Sequence, residues 1–170
     1  MLTCPTLQKK EHVYSLVQKM ICLYKIVGQV LFKQIFPNGT LEVKINLRGL
    51  PADDQQARAI HIHQYGDLSQ GCVTAGAHYN PQAVDHPGHP GDLGNFVSEQ
   101  GVIRKFMRLP EAKLFGGHSV LGRAVVVYEK EDDLGLGSDE ESKLSGNTGE
   151  RIACCVIETF VCQSTSLVNT

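Results

Sequence analysis

The stretch "GQVLFKQIFPNGTLEVKINLR", residues 28–48, decides the fold class. From Leu41 to Leu47 apolar and polar residues alternate, and a period of two is typical of a β-strand with one buried face. A second apolar run precedes it, and Asn-Gly between two such runs is the strongest short hairpin pattern. We therefore predict a β-hairpin over residues 28–48.

The rest of the chain repeats this pattern in short runs that are bounded by Gly, Pro or Asp. The further strands that we predict are 57–63, 101–109, 119–130 and 151–160. A helix is a candidate only at residues 11–25. The predicted class is all-β, a sandwich or a barrel.

Composition narrows the function classes. The chain has 170 residues, of which 16 are basic and 18 acidic, so it suits one domain and offers no electrostatic case for a nucleic-acid partner. No run approaches the roughly 18 apolar residues of a membrane span, so we expect no membrane partner. Four lysines interrupt the apolar N-terminus, and we read no cleavable secretory signal there.

The cysteines and one sequon favour an oxidising compartment. None of the six cysteines forms a C-x-x-C pair, so disulfides are the better interpretation than thiolate zinc. The sequon "NGT" makes Asn38 a glycosylation candidate. Both features favour secretion, whereas the N-terminus does not support it.

The segment 64–95 is long for a loop in a compact domain and has almost no large apolar residues, so burial alone cannot fix it. It contains His78, His86, His89 and Asp92. Imidazole and carboxylate ligands suit tetrahedral zinc, and a closed site of four protein ligands is structural. We predict that a metal ion orders this segment.

Two further histidines stand one residue apart in "AIHIH". Side chains alternate along a strand, so His61 and His63 project from one face and can close around one copper or zinc ion. Solvated alternation is the other interpretation of an H-x-H pair. Five of the seven histidines lie between residues 61 and 89, which favours metal binding.

Several segments together resemble the copper/zinc superoxide dismutases, particularly their extracellular branch. They are "HIHQYGDLSQGC", "AGAHYNP", "HPGHPGDLGNF", "LGRAVVVYEKEDDLG" and "NTGERIACCVI", and the resemblance covers about residues 26–158. It implies an eight-stranded Greek-key β-barrel or sandwich with long metal-binding and electrostatic loops. We place this domain at 26–160. It lies between an N-terminal segment, 1–25, to which we assign no structure, and a C-terminal tail, 161–170.

The resemblance also implies roles for single residues. The implied copper ligands are His61, His63 and His78, and the implied zinc ligands are His78, His86, His89 and Asp92. Arg151 resembles the guanidinium that attracts superoxide, Asp132 the carboxylate that links ligands of the two metals, and Cys72 with Cys154 the disulfide that ties the long loop to the barrel. Without the resemblance, we would interpret Arg151 as a partner in a salt bridge at the start of a strand and Asp132 as part of a solvated acidic turn.

One copper ligand of the family pattern is replaced. The fourth copper histidine would stand at Tyr128, and a phenol with a pKa of about 10 is a poor ligand at neutral pH unless the metal itself drives deprotonation. His118 cannot substitute, because ten residues along an extended strand span roughly 33 Å.

Both ends of the chain also depart from the family. A first strand is not clear in residues 1–25, and its loss would expose a sheet edge. The C-terminal residues lack Lys and Arg, so we expect no heparin-binding basic tail. Cys155 can pair with Cys22 or Cys4, and Cys162 can be free or link chains.

Two functions follow from the resemblance. The first is a superoxide dismutase that uses copper and zinc, with Arg151 and His78 as catalytic residues and an activity put in doubt by Tyr128. The alternative is a non-catalytic zinc- and copper-binding relative. A homo-oligomer and an extracellular location are also implied, with the cytoplasm as the alternative.

Overall fold

The computed structural model describes residues 13–21, 26–35, 38–53 and 55–158, the first of these ranges by its backbone. Apart from one 3₁₀ turn at Val73–Ala75 and one short helix, α1, at Glu140–Ser145, the regular structure is strand. The strands are β1 Val13–Ile21, β2 Val27–Ile35, β3 Leu41–Arg48, β4 Ala57–His63, β5 Ser69–Cys72, β6 Asp92–Val97, β7 Val102–Leu109, β8 Ala124–Tyr128 and β9 Arg151–Val156.

Eight of these strands form two four-stranded antiparallel sheets. Their orders are β1-β2-β3-β7 and β6-β4-β8-β9. Within the described ranges no ladder joins one sheet to the other, so the molecule is a β-sandwich rather than a closed barrel. The all-β prediction is confirmed.

The predicted hairpin forms as β2 and β3, in a register that pairs Phe32 with Val43. Alternation along β3 buries Val43, Ile45 and Leu47 between the sheets and leaves Lys44 exposed. Branched and aromatic residues of both sheets fill this interior, as expected for packed β-layers. The core thereby fixes β4, which carries His61 and His63, and β8, which ends at Tyr128.

The helix considered for residues 11–25 is wrong for its central part. The backbone of Val13–Ile21 forms β1, which pairs antiparallel with β2 from Val13–Ile35 to Ile21–Val27. Unpaired backbone groups on the edge of β2 favour a pairing strand, a tertiary demand that local periodicity does not report. The edge of β2, which loss of a first strand would have exposed, is therefore covered.

Three other expectations need correction. The strand predicted at 119–130 is β8 alone, Ala124–Tyr128, because a turn precedes it, and the one predicted to end at residue 160 ends at Val156. The segment 64–95 is not structureless: it contains β5, the 3₁₀ turn and the start of β6. Helix α1 was not predicted; the side chain of Asp139 caps its first turn by accepting from the Ser142 amide at 2.9 Å.

A disulfide joins Cys72, at the end of β5, to Cys154 in β9 with the Cα atoms 5.6 Å apart. This pairing confirms the one implied by the resemblance. Cys155 is buried, while Cys4, Cys22, Cys162 and the tail 161–170 lie outside the described residues. In the described part of the chain, no helix has the length and apolarity to cross a membrane.

We expect the double substitution Cys72→Ser/Cys154→Ser to lower the free energy of unfolding by up to roughly 4 kcal/mol. The bond spans 82 residues of sequence, and its loss frees a long loop in the unfolded chain. Urea unfolding of metal-loaded protein measures the change. Unaltered stability, or two alkylatable thiols in the oxidised native protein, would contradict the expectation.

Candidate metal centre

Strand β4 presents two of the histidines from the middle of its sheet. His61 and His63 are fully buried, and β4 is paired on both sides, by β6 and β8. A register shift between Ile60 and His61 sets His61 opposite Asp92. Such bulges redirect side chains, and this one brings a carboxylate of the long loop beside a strand histidine.

The loop returns to β4 and positions the third histidine. His78 forms an isolated antiparallel bridge with His63, and the Tyr79 amide donates to the Ile62 carbonyl at 2.8 Å. These backbone contacts hold His78 against the end of the strand. Its ring therefore lies between the strand histidines and the rest of the loop.

His61, His63 and His78 form what we call the three-histidine cluster. One ring nitrogen from each lies within 4.8 Å of the others, and His61 Nδ1 is 3.0 Å from His78 Nε2. His63 Nδ1 lies 2.9 Å from the Gly76 carbonyl, so the proton of the neutral ring resides on Nδ1. This leaves the lone pair of His63 Nε2 directed into the cluster.

His78, His86, His89 and Asp92 form a second group, the four-ligand cluster. The Nδ1 atoms of the three histidines lie 2.8, 3.1 and 3.2 Å from a carboxylate oxygen of Asp92. His89 Nδ1 is buried, and none of the described residues forms a hydrogen bond with it. Tetrahedral donors on bonds of about 2.0–2.1 Å stand ~3.3 Å apart, so these spacings suit one zinc ion.

His86 supplies a second test of fit. Its Nε2 lies 2.8 Å from Asp132 Oδ1, while its Nδ1 lies 3.1 Å from Asp92 Oδ2. A neutral imidazole has one N–H, so one of these contacts would oppose two lone pairs. A cation between Nδ1 and the Asp92 carboxylate removes that repulsion, and the residues therefore fit a metal ion.

The carboxylate of Asp132 lies between the two clusters. Oδ1 contacts His86 Nε2, and Oδ2 lies 3.0 Å from His61 Nε2, although that pair lacks hydrogen-bond geometry. Asn95 holds the Asp132 backbone through bonds of 2.7 and 2.8 Å. Sequence reasoning from the residues alone read Asp132 as a solvated turn, whereas it is 3% exposed.

Protonation states match what metal ligands require. Burial lowers the pKa of His61, and burial together with the charge of Arg151 lowers the pKa of His63 to about 2. Burial alone would raise the pKa of Asp132, but its contacts with His61, the Leu134 amide and His86 outweigh burial and lower it to about 2. At neutral pH the rings of His61 and His63 are therefore neutral and the Asp132 carboxylate is ionised. A metal ion that binds these rings does not have to displace an imidazolium proton.

Arg151 opens β9 beside the three-histidine cluster. Its guanidinium donates to the carbonyls of Cys72 at 2.9 Å, Val73 at 3.2 Å and Gly76 at 2.8 Å. Because Cys72 is bonded to Cys154, the disulfide also fixes the carbonyls that orient this cation. The simple salt bridge considered for Arg151 is not what the structure shows.

Tyr128, the last residue of β8, lies inside the three-histidine cluster. Its hydroxyl is 2.8 Å from His63 Nε2 and 3.4 Å from His78 Nε2. Burial raises the pKa of Tyr128 to about 12, although the charge of Arg151 opposes the rise. His118 is exposed in a turn and belongs to neither cluster.

The sequence did not reveal three residues that hold the side chains of the two clusters and their neighbours in place. Gly76 supplies a carbonyl to both His63 and Arg151, Asn95 holds Asp132, and Gly146 approaches Asp132 so closely that a Cβ there would lie 2.0 Å from Oδ1. All three act through backbone contacts between distant segments. No local pattern reports such contacts.

The comparisons with known proteins agree with this geometry. The sequence pattern described as copper/zinc superoxide dismutase (SODC) matches residues 26–157. This chain belongs to the copper/zinc superoxide dismutase family. The cofactors of this family are copper and zinc, and the two clusters are the groups that could hold them.

Individual relatives point to the extracellular branch. The chain is 52% identical over 136 residues to the extracellular superoxide dismutase [Cu-Zn] of Rattus norvegicus and 49% identical over 134 residues to that of Homo sapiens. These alignments cover 79% and 78% of this chain and 56% of each relative. The superoxide dismutase [Cu-Zn] of Schizosaccharomyces pombe is 42% identical over 140 residues, 78% of this chain and 90% of the relative. The chain thus spans about half the length of the extracellular relatives.

We expect zinc removal to destabilise the long loop. The four-ligand cluster replaces the apolar packing that residues 64–95 lack, and a closed zinc site contributes directly to folding free energy. Chelation should lower the melting temperature and increase amide exchange in this segment, while β3 stays protected. Identical melting and identical loop protection without zinc would contradict the expectation.

We expect Gly146→Ala to disturb both clusters through Asp132. The added Cβ would meet Asp132 Oδ1 at 2.0 Å and His86 Nε2 at 2.9 Å. Gly122→Ala is the matched control, since its φ of +74° equals that of Gly146 within 1° and nothing lies within 4 Å of its Cβ. In both variants, strain of the alanine in the left-handed backbone region should lower the free energy of unfolding by about 1–2 kcal/mol.

Only Gly146→Ala should also weaken zinc binding, which a competition titration with a zinc-sensitive dye measures. Equal zinc affinity in the two variants would show that Asp132 does not orient the zinc ligands.

Proposed function

We propose that this protein binds copper at the three-histidine cluster and zinc at the four-ligand cluster, and that it converts superoxide to oxygen and hydrogen peroxide. The observation that carries the proposal is the position of His78. Its Nε2 faces His61 at 3.0 Å and its Nδ1 faces Asp92 at 2.8 Å, so one ring belongs to both clusters. Family membership supports the same activity.

In this proposal the four-ligand cluster has a structural role. Together with His78, the side chains of His86, His89 and Asp92 leave no open position in a tetrahedral site. The Asp132 carboxylate contacts His86 Nε2, on the side of the ring away from Asp92. If zinc is held there, His78 would be anchored through Nδ1, and its Nε2 would be aligned with His61 and His63.

The reaction is proposed for the three-histidine cluster. Copper bound there supplies a one-electron couple that can take an electron from one superoxide and return it to a second. Arg151 attracts the anion, because its guanidinium is held by three carbonyls beside the cluster. His78 Nε2 can hold a proton and deliver it to the forming peroxide, since the ring would stay anchored through Nδ1 in the four-ligand cluster.

One observation favours the alternative, a non-catalytic metal-binding relative. The Tyr128 hydroxyl lies 2.8 Å from His63 Nε2, a nitrogen that copper would need. The four-ligand cluster has no such substitution. In the alternative, zinc and the disulfide maintain the scaffold and superoxide is not turned over.

We also propose a setting for the protein. Its relatives named extracellular and its disulfide favour a location outside the cell. Asn38 is exposed at the hairpin turn, where a glycan would not disturb the core. The domain at 26–160 and a homo-oligomeric state remain part of this proposal.

The test is superoxide consumption per bound copper, measured at matched zinc loading for the natural protein and for Tyr128→His. We expect measurable but low activity in the natural protein and at least a ten-fold rise on restoring the fourth imidazole, about 1.4 kcal/mol of barrier. Equal rates near the diffusion limit would show that Tyr128 does not impair turnover. No activity in either protein would favour the non-catalytic alternative.

A further inference from the structure

The geometry points to Tyr128 as a metal ligand: we infer that its phenol oxygen is the fourth donor of the three-histidine cluster, which makes an N₃O site. The inference deepens the proposed function in one respect, since it assumes that this cluster takes a metal ion. It does not require that the ion turns over superoxide.

Donor spacing is the first argument. Four donors on bonds of about 2.0–2.1 Å stand ~2.9 Å apart at right angles and ~3.4 Å apart in a tetrahedron. The Tyr128 oxygen lies 2.8 Å from His63 Nε2 and 3.4 Å from His78 Nε2, and His61 Nδ1 lies 3.0 Å from His78 Nε2. The oxygen therefore stands where a fourth donor atom would stand, beside the histidine nitrogens. An oxygen at the position of the ion would lie about 2 Å from these nitrogens.

The strand fixes the phenol in that position. Tyr128 is 3% exposed, and a register shift between Val127 and Tyr128 sets it opposite Arg151 at the end of β8. Its ring packs against His61 and His63 with centroids 5.3 and 5.8 Å apart. Burial and these two ring contacts hold the oxygen beside the histidine nitrogens, where a metal ion bound to them would meet it.

The charge balance of the site suits this ligand. When the oxygen binds, its O–H bond breaks, a metal–oxygen bond forms, and the proton leaves to solvent. The anionic oxygen then stands beside Arg151, whose guanidinium carbon lies 6.0 Å from the ring centroid. A hard anionic oxygen favours the divalent ion over the monovalent one, so the N₃O site selects Cu(II) over Cu(I).

A competing interpretation treats the hydroxyl as a plug. In that case it donates a hydrogen bond to His63 Nε2, and a metal must displace it before binding. The two interpretations predict opposite effects of Tyr128→Phe: loss of a ligand weakens metal binding, whereas loss of a plug strengthens it.

The experiment titrates Cu(II) into zinc-loaded full-length protein in competition with a chromophoric chelator, and records the visible spectrum. The proteins are the natural chain, Tyr128→Phe and Tyr128→His, each checked for folding by melting. We expect a phenolate-to-copper charge-transfer band in the natural protein alone and at least ten-fold weaker Cu(II) binding in Tyr128→Phe. Tyr128→His should bind copper without the band.

The band in the natural protein decides the question even if one variant fails to fold. Its absence, tighter binding by Tyr128→Phe, or no copper uptake by the natural protein would overturn the inference. A band together with no superoxide consumption would sustain this inference and defeat the proposed function.

Discussion

The buried carboxylate of Asp132 reaches histidine rings of both clusters. It contacts His86 Nε2 at 2.8 Å and lies 3.0 Å from His61 Nε2, so it touches one ring of each cluster. A buried carboxylate is tolerable only when it is paired, and the neighbouring histidines and backbone amides provide that pairing. Two neighbours keep this carboxylate in its position: Gly146 leaves room for it, and Asn95 accepts a hydrogen bond from the Asp132 amide. Without Asp132, the apolar core of the sandwich would still pack, but no carboxylate would lie against both His61 and His86.

The sandwich and the site are stabilised by different interactions. The sheets bury a continuous apolar core, which ordinary alternation specifies. The long loop has few apolar contacts of its own and is held by the Cys72–Cys154 disulfide, by the bridge between His63 and His78, and by its prospective metal ligands. The residues that could hold a metal ion are therefore also residues that hold the loop in place. Stability and chemistry cannot be varied independently in this segment.

Sequence alone predicted the hairpin of β2 and β3, because the period of two and the Asn-Gly turn are local features. It also identified the members of both clusters, since histidine spacing and the family resemblance are visible without coordinates. It did not predict β1, whose formation depends on the edge of β2, or the limits of β8, which a turn determines. The family resemblance placed Tyr128 at the fourth copper position, but the 2.8 Å contact between its hydroxyl and His63 Nε2 is a detail of geometry that only the structure gives.

The shared ring of His78 has a thermodynamic consequence. A ligand that belongs to two sites makes their occupancies interdependent, and linkage requires the dependence to be reciprocal. If zinc on Nδ1 pre-orients the ring and raises the affinity of Nε2 for copper, then copper raises the affinity for zinc by the same factor. Partial loading would then favour fully occupied and empty molecules over singly occupied ones.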